Sequence, residues 1–109
     1  MNRLNFLPLI LLFVVLMVEA ATLSDAKMAI RTRDFSKAVN ILEPLSRKGD
    51  KEAQYHLAVM YRNGQGTRED AKKSAYWMNK SASQGYKRSQ YSMGVFYEEG
   101  IGVSQDLKK

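Results

Sequence analysis

Self-similarity at a fixed distance of 36 residues constrains this chain more than any other feature. The stretch Lys51-Glu52-Ala53-Gln54-Tyr55-His56-Leu57-Ala58-Val59-Met60-Tyr61 is echoed by Lys87-Arg88-Ser89-Gln90-Tyr91-Ser92-Met93-Gly94-Val95-Phe96-Tyr97. The register continues without a gap through Gly64 and Gly100, Gly66 and Gly102, and Asp70 and Asp106. The same offset ties Asp34 to Asp70, Lys37 to Lys73 and Gly49 to Gly85. Units of this length cannot bury an apolar face alone, so copies of them stack.

Each copy reads as two helices. Ala53, Leu57, Ala58 and Tyr61 fall on one stripe of a 3.6-residue period. Asn63-Gly64-Gln65-Gly66 stops that helix, because glycine takes the positive φ of a helix end without strain. Asp70 is placed to cap a second helix, whose buried stripe is expected at Ala71, Ser74, Ala75, Met78 and Ala82, with Trp77 as the large anchor. Gln84-Gly85 closes it. The preceding half-unit repeats the plan: Asp34 caps, Phe35, Ala38, Val39, Ile41, Leu42 and Leu45 pack, and Gly49 stops. Pro44 is expected to kink or loosen its last turn. Leu23 to Arg31 reads as a shortened first helix, joined to the next by a tight Thr32-Arg33 link. Outside the first twenty residues nothing signals a strand, so the expected fold is all-α.

Those first twenty residues read as an address. Met1-Asn2-Arg3 is a short positive start, Leu4 to Val18 is nearly all apolar, and Val18-Glu19-Ala20-Ala21 is a small-residue exit. The apolar run of about 15 residues falls short of the roughly 18–20 that span a bilayer as a helix. A cleaved secretory signal at 1–20 is therefore preferred over an uncleaved anchor, and the expected location is the periplasm or the exterior, most naturally of a bacterial envelope. The chain has no Cys, which excludes a disulfide framework, a thiolate zinc site, a cysteine nucleophile and a lipidated N-terminal cysteine. Stability must then come from packing alone.

The repeated residues resemble the Sel1-like repeat, a relative of the tetratricopeptide repeat. The likeness is carried by Ala53-Gln54, Leu57, Tyr61, Gly64, Gly66, Asp70, Lys73, Trp77, Lys80, Ala82 and Gln84-Gly85. It returns at Gln90, Gly94, Tyr97, Gly100, Gly102-Val103 and Asp106, and covers roughly Asp34 to Lys109. Departures are mild: Ala58 for Gly, Thr67 for Val, and Ser74, Ser81 and Ser89 for Ala. The resemblance implies a right-handed α-solenoid of antiparallel helix pairs acting as an adaptor. The units are then a degenerate helix pair at 21–50, one full repeat at 51–86 and an incomplete one at 87–109. Because a second helix is due where Lys108-Lys109 stand, the sequence is expected to belong to a longer array or else to end in an interface. Without that second helix Val95, Phe96 and Tyr97 are expected to lose part of their cover.

Little in the chain suggests catalysis, and no cofactor or metal is expected. Asn63-Gly64-Gln65-Gly66 lacks the preceding strand and the Lys-Ser/Thr of a phosphate loop. Ser24-Asp25-Ala26-Lys27 matches the Ser-x-x-Lys of β-lactam-hydrolysing enzymes, but their Ser-Asp-Asn and Lys-Thr-Gly elements are missing. His56 is the single histidine and reads as a packed or partly exposed side chain. The net charge of +6 survives leader removal, since Arg3 and Glu19 carry one charge of each sign. Spread basic residues without an aromatic stripe do not describe a nucleic-acid module, though weak, salt-screened contact with an anionic envelope polymer or lipid surface is a second reading.

The groove of a two-helix solenoid is lined by its first helices. With Leu57, Ala58 and Tyr61 turned to the partner helix, Glu52, Tyr55, Val59 and Arg62 face the groove, followed by Arg88, Tyr91, Val95 and Glu98. The expected binding residues for a protein or peptide are therefore Tyr55, Val59, Arg62, Tyr91, Val95 and Glu98, with Tyr and Arg as anchors. The competing reading packs Tyr55 and Tyr91 between repeats.

Overall fold

A computed structural model describes residues 21–105; the leader reading at 1–20 and the last four residues lie outside them. The described chain is five helices without a strand: α1 (Leu23–Arg31), α2 (Phe35–Arg47), α3 (Lys51–Asn63), α4 (Ala71–Ser83) and α5 (Lys87–Glu99). Each helix packs chiefly on its neighbours in sequence.

Local chemistry sets the boundaries. Asp34, Asp50 and Asp70 each cap a helix by accepting from the backbone N–H three residues on, and Thr22 and Asp25 form a reciprocal capping box. The cap of α5 is Tyr86, which offers no side-chain acceptor. Gly64 and Gly100 end α3 and α5 in the left-handed region, at φ of 64° and 69°. The tight link after α1 is closed by the Asp34 N–H donating to the Ala29 carbonyl at 2.8 Å, and Arg33 takes the left-handed φ of 62°. Helix α2 runs on through Pro44 to Arg47, so the proline does not end it.

Two glycines bring successive units together. A Cβ on Gly66 would stand 2.3 Å from the Phe35 carbonyl oxygen, and one on Gly102 would stand 2.1 Å from that of Ala71. Phe35 and Ala71 are the first residues of α2 and α4, so each inter-helix loop seats its glycine on the start of the preceding unit's second helix. This contact corrects the placement of Ala71. Its backbone is covered, but its methyl is exposed and it does not join the core stripe; Ser81 does instead.

Apolar burial falls into two clusters. The first gathers Ala26, Ala29, Ala38, Val39, Ile41, Leu42, Ala53, Leu57, Met60 and Tyr61, with Trp77 packed against it from α4. The second holds Ala58, Ala75, Met78, Met93 and Phe96. Phe96 is 1% exposed, contrary to the expectation that it would lie partly uncovered. It points back towards α4, the turn after α5 adds Ile101 and Val103, and the Arg62 guanidinium lies 5.5 Å over its ring.

Polar bridges bind the stack as well. The Gln54 amide donates to the Ser46 carbonyl (3.0 Å), and the Gln90 amide, 36 residues on, donates to the Ala82 carbonyl (3.2 Å). Gln84 donates to the Gln54 side-chain oxygen at 2.8 Å. Ser74 donates to the Ala58 carbonyl, Ser81 to the Lys51 carbonyl, and Ser89 to the Ser81 hydroxyl. The serines that depart from the repeat pattern are therefore buried, hydrogen-bonded links between helices.

Candidate functional site: the row of first helices

Side-chain contacts show that α1, α3 and α5 stand in a row, with α3 and α5 parallel. Near their starts, the Lys27 ammonium pairs with the Glu52 carboxylate, and the Arg88 guanidinium lies 5.0 Å over the Tyr55 ring. Near their ends, Arg62 pairs with Glu99 at 3.7 Å. Counting from each first helical residue, Lys27 and Tyr55 both hold the fifth position, while Glu52 and Arg88 both hold the second. The fifth residue of one helix thus meets the second residue of the next, once as an ion pair and once as a cation on an aromatic face.

This row places the six expected binding residues. Tyr55 is half-buried between repeats, its ring 5.5 Å from that of Tyr86 and edge-on to His56 at 5.3 Å, under Arg88. The competing reading therefore holds for Tyr55. Val59 and Val95 are half-buried. Arg62 is exposed but engaged with Phe96 and Glu99. Tyr91 is 77% exposed, and Glu98 is exposed with no ion-pair partner among the described residues. Tyr91 and Glu98 are thus the two of the six that are exposed without a ring or ion-pair contact among the described residues.

His56 lies 3.7 Å from Glu52, with its Nε2 buried and without a hydrogen-bond partner. Burial holds its pKa below the ordinary imidazole value; nearby Glu52 opposes that shift, and Lys27 and Arg88 add to it. The hydrogen bond from Lys27 holds the Glu52 carboxyl below its usual range. A depressed folded pKa means that the unfolded chain binds the proton first. Stability from neutral His56 is therefore full above the ordinary imidazole value and falls as pH drops towards its folded pKa. Glu52 contributes the same sign in a lower window. Thermal melts are expected to show stability falling from pH 7 to pH 5 in the native chain. In His56→Gln that slope flattens.

The remaining chemical candidates are placed elsewhere. Lys27 is committed to Glu52, while Ser24 stands exposed on α1, so the Ser-x-x-Lys spacing does not bring its lysine to its serine. Among the described residues no group of three or more His, Cys, Asp or Glu side chains is placed to hold a metal ion. No described helix is long and apolar enough to cross a membrane. On the opposite side Lys80 lies 5.1 Å over Tyr76 and 5.6 Å over Trp77, and Lys73 lies 5.5 Å over Tyr61. The Tyr61 hydroxyl donates to Glu43, and burial followed by that carboxylate pushes its pKa up.

A row of first helices, backed by second helices whose starts receive the loop glycines, defines an α-solenoid of helix hairpins. Comparison with known sequences identifies the kind: the family model of the Sel1 repeat matches residues 51–86 and 87–109, and the chain belongs to that family. Among solved structures, one similar to it is c5321, a protective antigen present in uropathogenic Escherichia coli strains displaying an SLR fold. The match has 31% identity and a TM-score of 0.74, over 76% of this chain and 18% of that one. Another is a Sel1 repeat protein from Oxalobacter formigenes, at 36% identity and a TM-score of 0.65, over 66% of this chain and 21% of that one. The chain thus spans about a fifth of the length of these two proteins. No curated protein matches it.

Proposed function

We propose that this chain is a protein–protein interaction scaffold, as Sel1-repeat proteins with their typically non-catalytic fold generally are, that the leader at 1–20 carries it out of the cytoplasm, and that it holds a protein or peptide on the face made by α3 and α5. One observation carries the reading. The first helices stand as equivalent neighbours and leave Tyr91, a large amphipathic ring, 77% exposed. Tyrosine is a common interface anchor, because it buries a large area and keeps a polar tip. Export rests on the order of charge, apolar run and small-residue exit at the N-terminus.

The test is capture from an envelope extract by the immobilised chain. Replacing Tyr55 and Tyr91 together with Ala is expected to abolish capture while leaving the helical circular-dichroism signal in place. Tyr91→Ala alone, at an exposed position, isolates recognition from packing. Unchanged capture by both variants rejects this face.

A further inference from the structure

The second helices collect positive charge on the side they turn to solvent. Helices α2 and α4 carry Lys37, Arg47, Lys72, Lys73 and Lys80, all exposed, against one carboxylate, Glu43. That carboxylate is half-buried, accepts from the Tyr61 hydroxyl and lies 3.8 Å from Arg47. Asp34 and Asp70 stand at the helix starts, where each accepts from a backbone N–H. The first helices are mixed by comparison, with Asp25, Glu52, Glu98 and Glu99 among their cations. Basic residues that look scattered along the sequence are thus sorted by the hairpin into one layer.

The exposure of this layer does not depend on where the sequence stops, because the 36-residue offset supplies a control. Ser36, Lys37, Asn40 and Pro44 on α2 hold the places that Lys72, Lys73, Tyr76 and Lys80 hold on α4. All four positions on α2 are exposed although a further helix pair, α3 and α4, is stacked after it. They form the outward stripe of a second helix, which stays open when another unit follows.

On α4 that stripe also carries a large ring. Tyr76 is 53% exposed and edge-on to Trp77 at 5.0 Å, and the Lys80 ammonium lies 5.1 Å over the first ring and 5.6 Å over the second. The ring contact leaves N–H donors of the ammonium free for an anion. Tyrosine and tryptophan beside lysine are the residues favoured at the headgroup level of a bilayer, where one end of each ring is apolar and the other wet. Lysine is a compact charge on a flexible stem, so it suits headgroups that move laterally. Fixed carboxylates of a partner protein would favour arginine forks, and Arg47 is the single arginine of the set.

We propose that the outward face of α2 and α4 rests on an anionic lipid surface, with Lys72, Lys73 and Lys80 against lipid phosphates and Tyr76 among the headgroups. The row of first helices is then turned away from the membrane and free for a protein partner. None of the residues offered for partner binding takes part, so the two readings stand or fall separately.

Trp77 is the one tryptophan of the chain, so its fluorescence reports on this face. The full chain is mixed with vesicles of phosphatidylcholine alone or with one quarter phosphatidylglycerol, each carrying a headgroup spin label that quenches tryptophan. The apolar run at 4–18 attaches to either vesicle regardless of charge, so the readout is quenching of Trp77 and not attachment. Quenching is expected to be about twofold stronger or more with phosphatidylglycerol, and to fall to the neutral level in about 0.5 M salt. The triple variant Lys72→Gln, Lys73→Gln, Lys80→Gln is expected to abolish the difference. The triple variant Arg31→Gln, Lys51→Gln, Lys87→Gln removes the same charge from the first helices and is expected to keep most of it. Circular dichroism checks that both fold, and the salt series on the native chain decides the question if either does not. Equal quenching on the two vesicles, or equal losses in the two variants, overturns the proposal. Quenching indifferent to lipid charge, together with lysine-dependent capture on immobilised polyglutamate, assigns the face to an acidic protein and overturns it as well.

Discussion

Gly66→Ala is expected to lower stability by about 2–5 kcal/mol, and Gly102→Ala by a similar amount. The left-handed φ at these positions, 72° and 64°, costs roughly 1–2 kcal/mol for any residue with a Cβ. The added methyl must also find room where a carbonyl oxygen already stands 2.3 Å or 2.1 Å away, which forces backbone apart and costs typically 1–3 kcal/mol more. In a small domain that lowers the melting temperature on the order of 10–20 °C. Gly49→Ala serves as the control: its φ of 101° is strained for alanine, but the new methyl meets nothing within 4 Å. Its loss is expected to be clearly smaller. Equal losses at Gly49 and Gly66 in calorimetric melts would show that the close approach between units contributes nothing.

Phe96→Ala is expected to cost about 3–5 kcal/mol, the range for emptying a buried aromatic site. Against a typical total of about 5–15 kcal/mol, that is enough to unfold part of the stack. The two apolar clusters predict which part. Phe96 belongs to the cluster of α4 and α5, whereas α1, α2 and most of α3 pack around the other. Repeat folds lose stability by neighbouring units rather than all at once. Hydrogen exchange on Phe96→Ala is therefore expected to quicken in α5 and α4 while α2 stays protected. Uniform quickening across all five helices would mean that the clusters act as one.

Much of this architecture is legible in the residues. The period fixes the hairpin unit, and Asp34, Asp70, Gly64 and Gly85 mark helix ends with short-range chemistry that sequence reports directly. The stripe of Ala53, Leu57, Ala58 and Tyr61 is buried as its spacing predicts. What sequence hides are side-chain contacts between one helix and another. Gln54 and Gln90 sit in the repeated motif, yet nothing in their spacing reveals that each bridges to the helix before it, Gln54 buried and Gln90 exposed. Ser81 and Ser89 look like weakened alanines and prove to be partners of each other. Phe96 and Tyr97 are adjacent letters that pack on the same cluster, the first buried and the second half-buried.

The candidate site is legible in outline only. Pattern alone places Tyr55 and Tyr91 as equivalents, and it cannot tell that Arg88 reaches back to one of them while the other stays open. Family likeness supplies the scaffold role.

The amide chain from Gln84 through Gln54 to the Ser46 carbonyl has a consequence for assembly. A primary amide presents donors at one end and an acceptor at the other, so it can be satisfied in only one alignment of its neighbours. Sliding one hairpin by a turn would leave oil-like surfaces touching, but it would strand the buried Gln54 amide without its partners. The links thereby act as a vernier, rejecting near-miss stackings that greasy contact alone would tolerate.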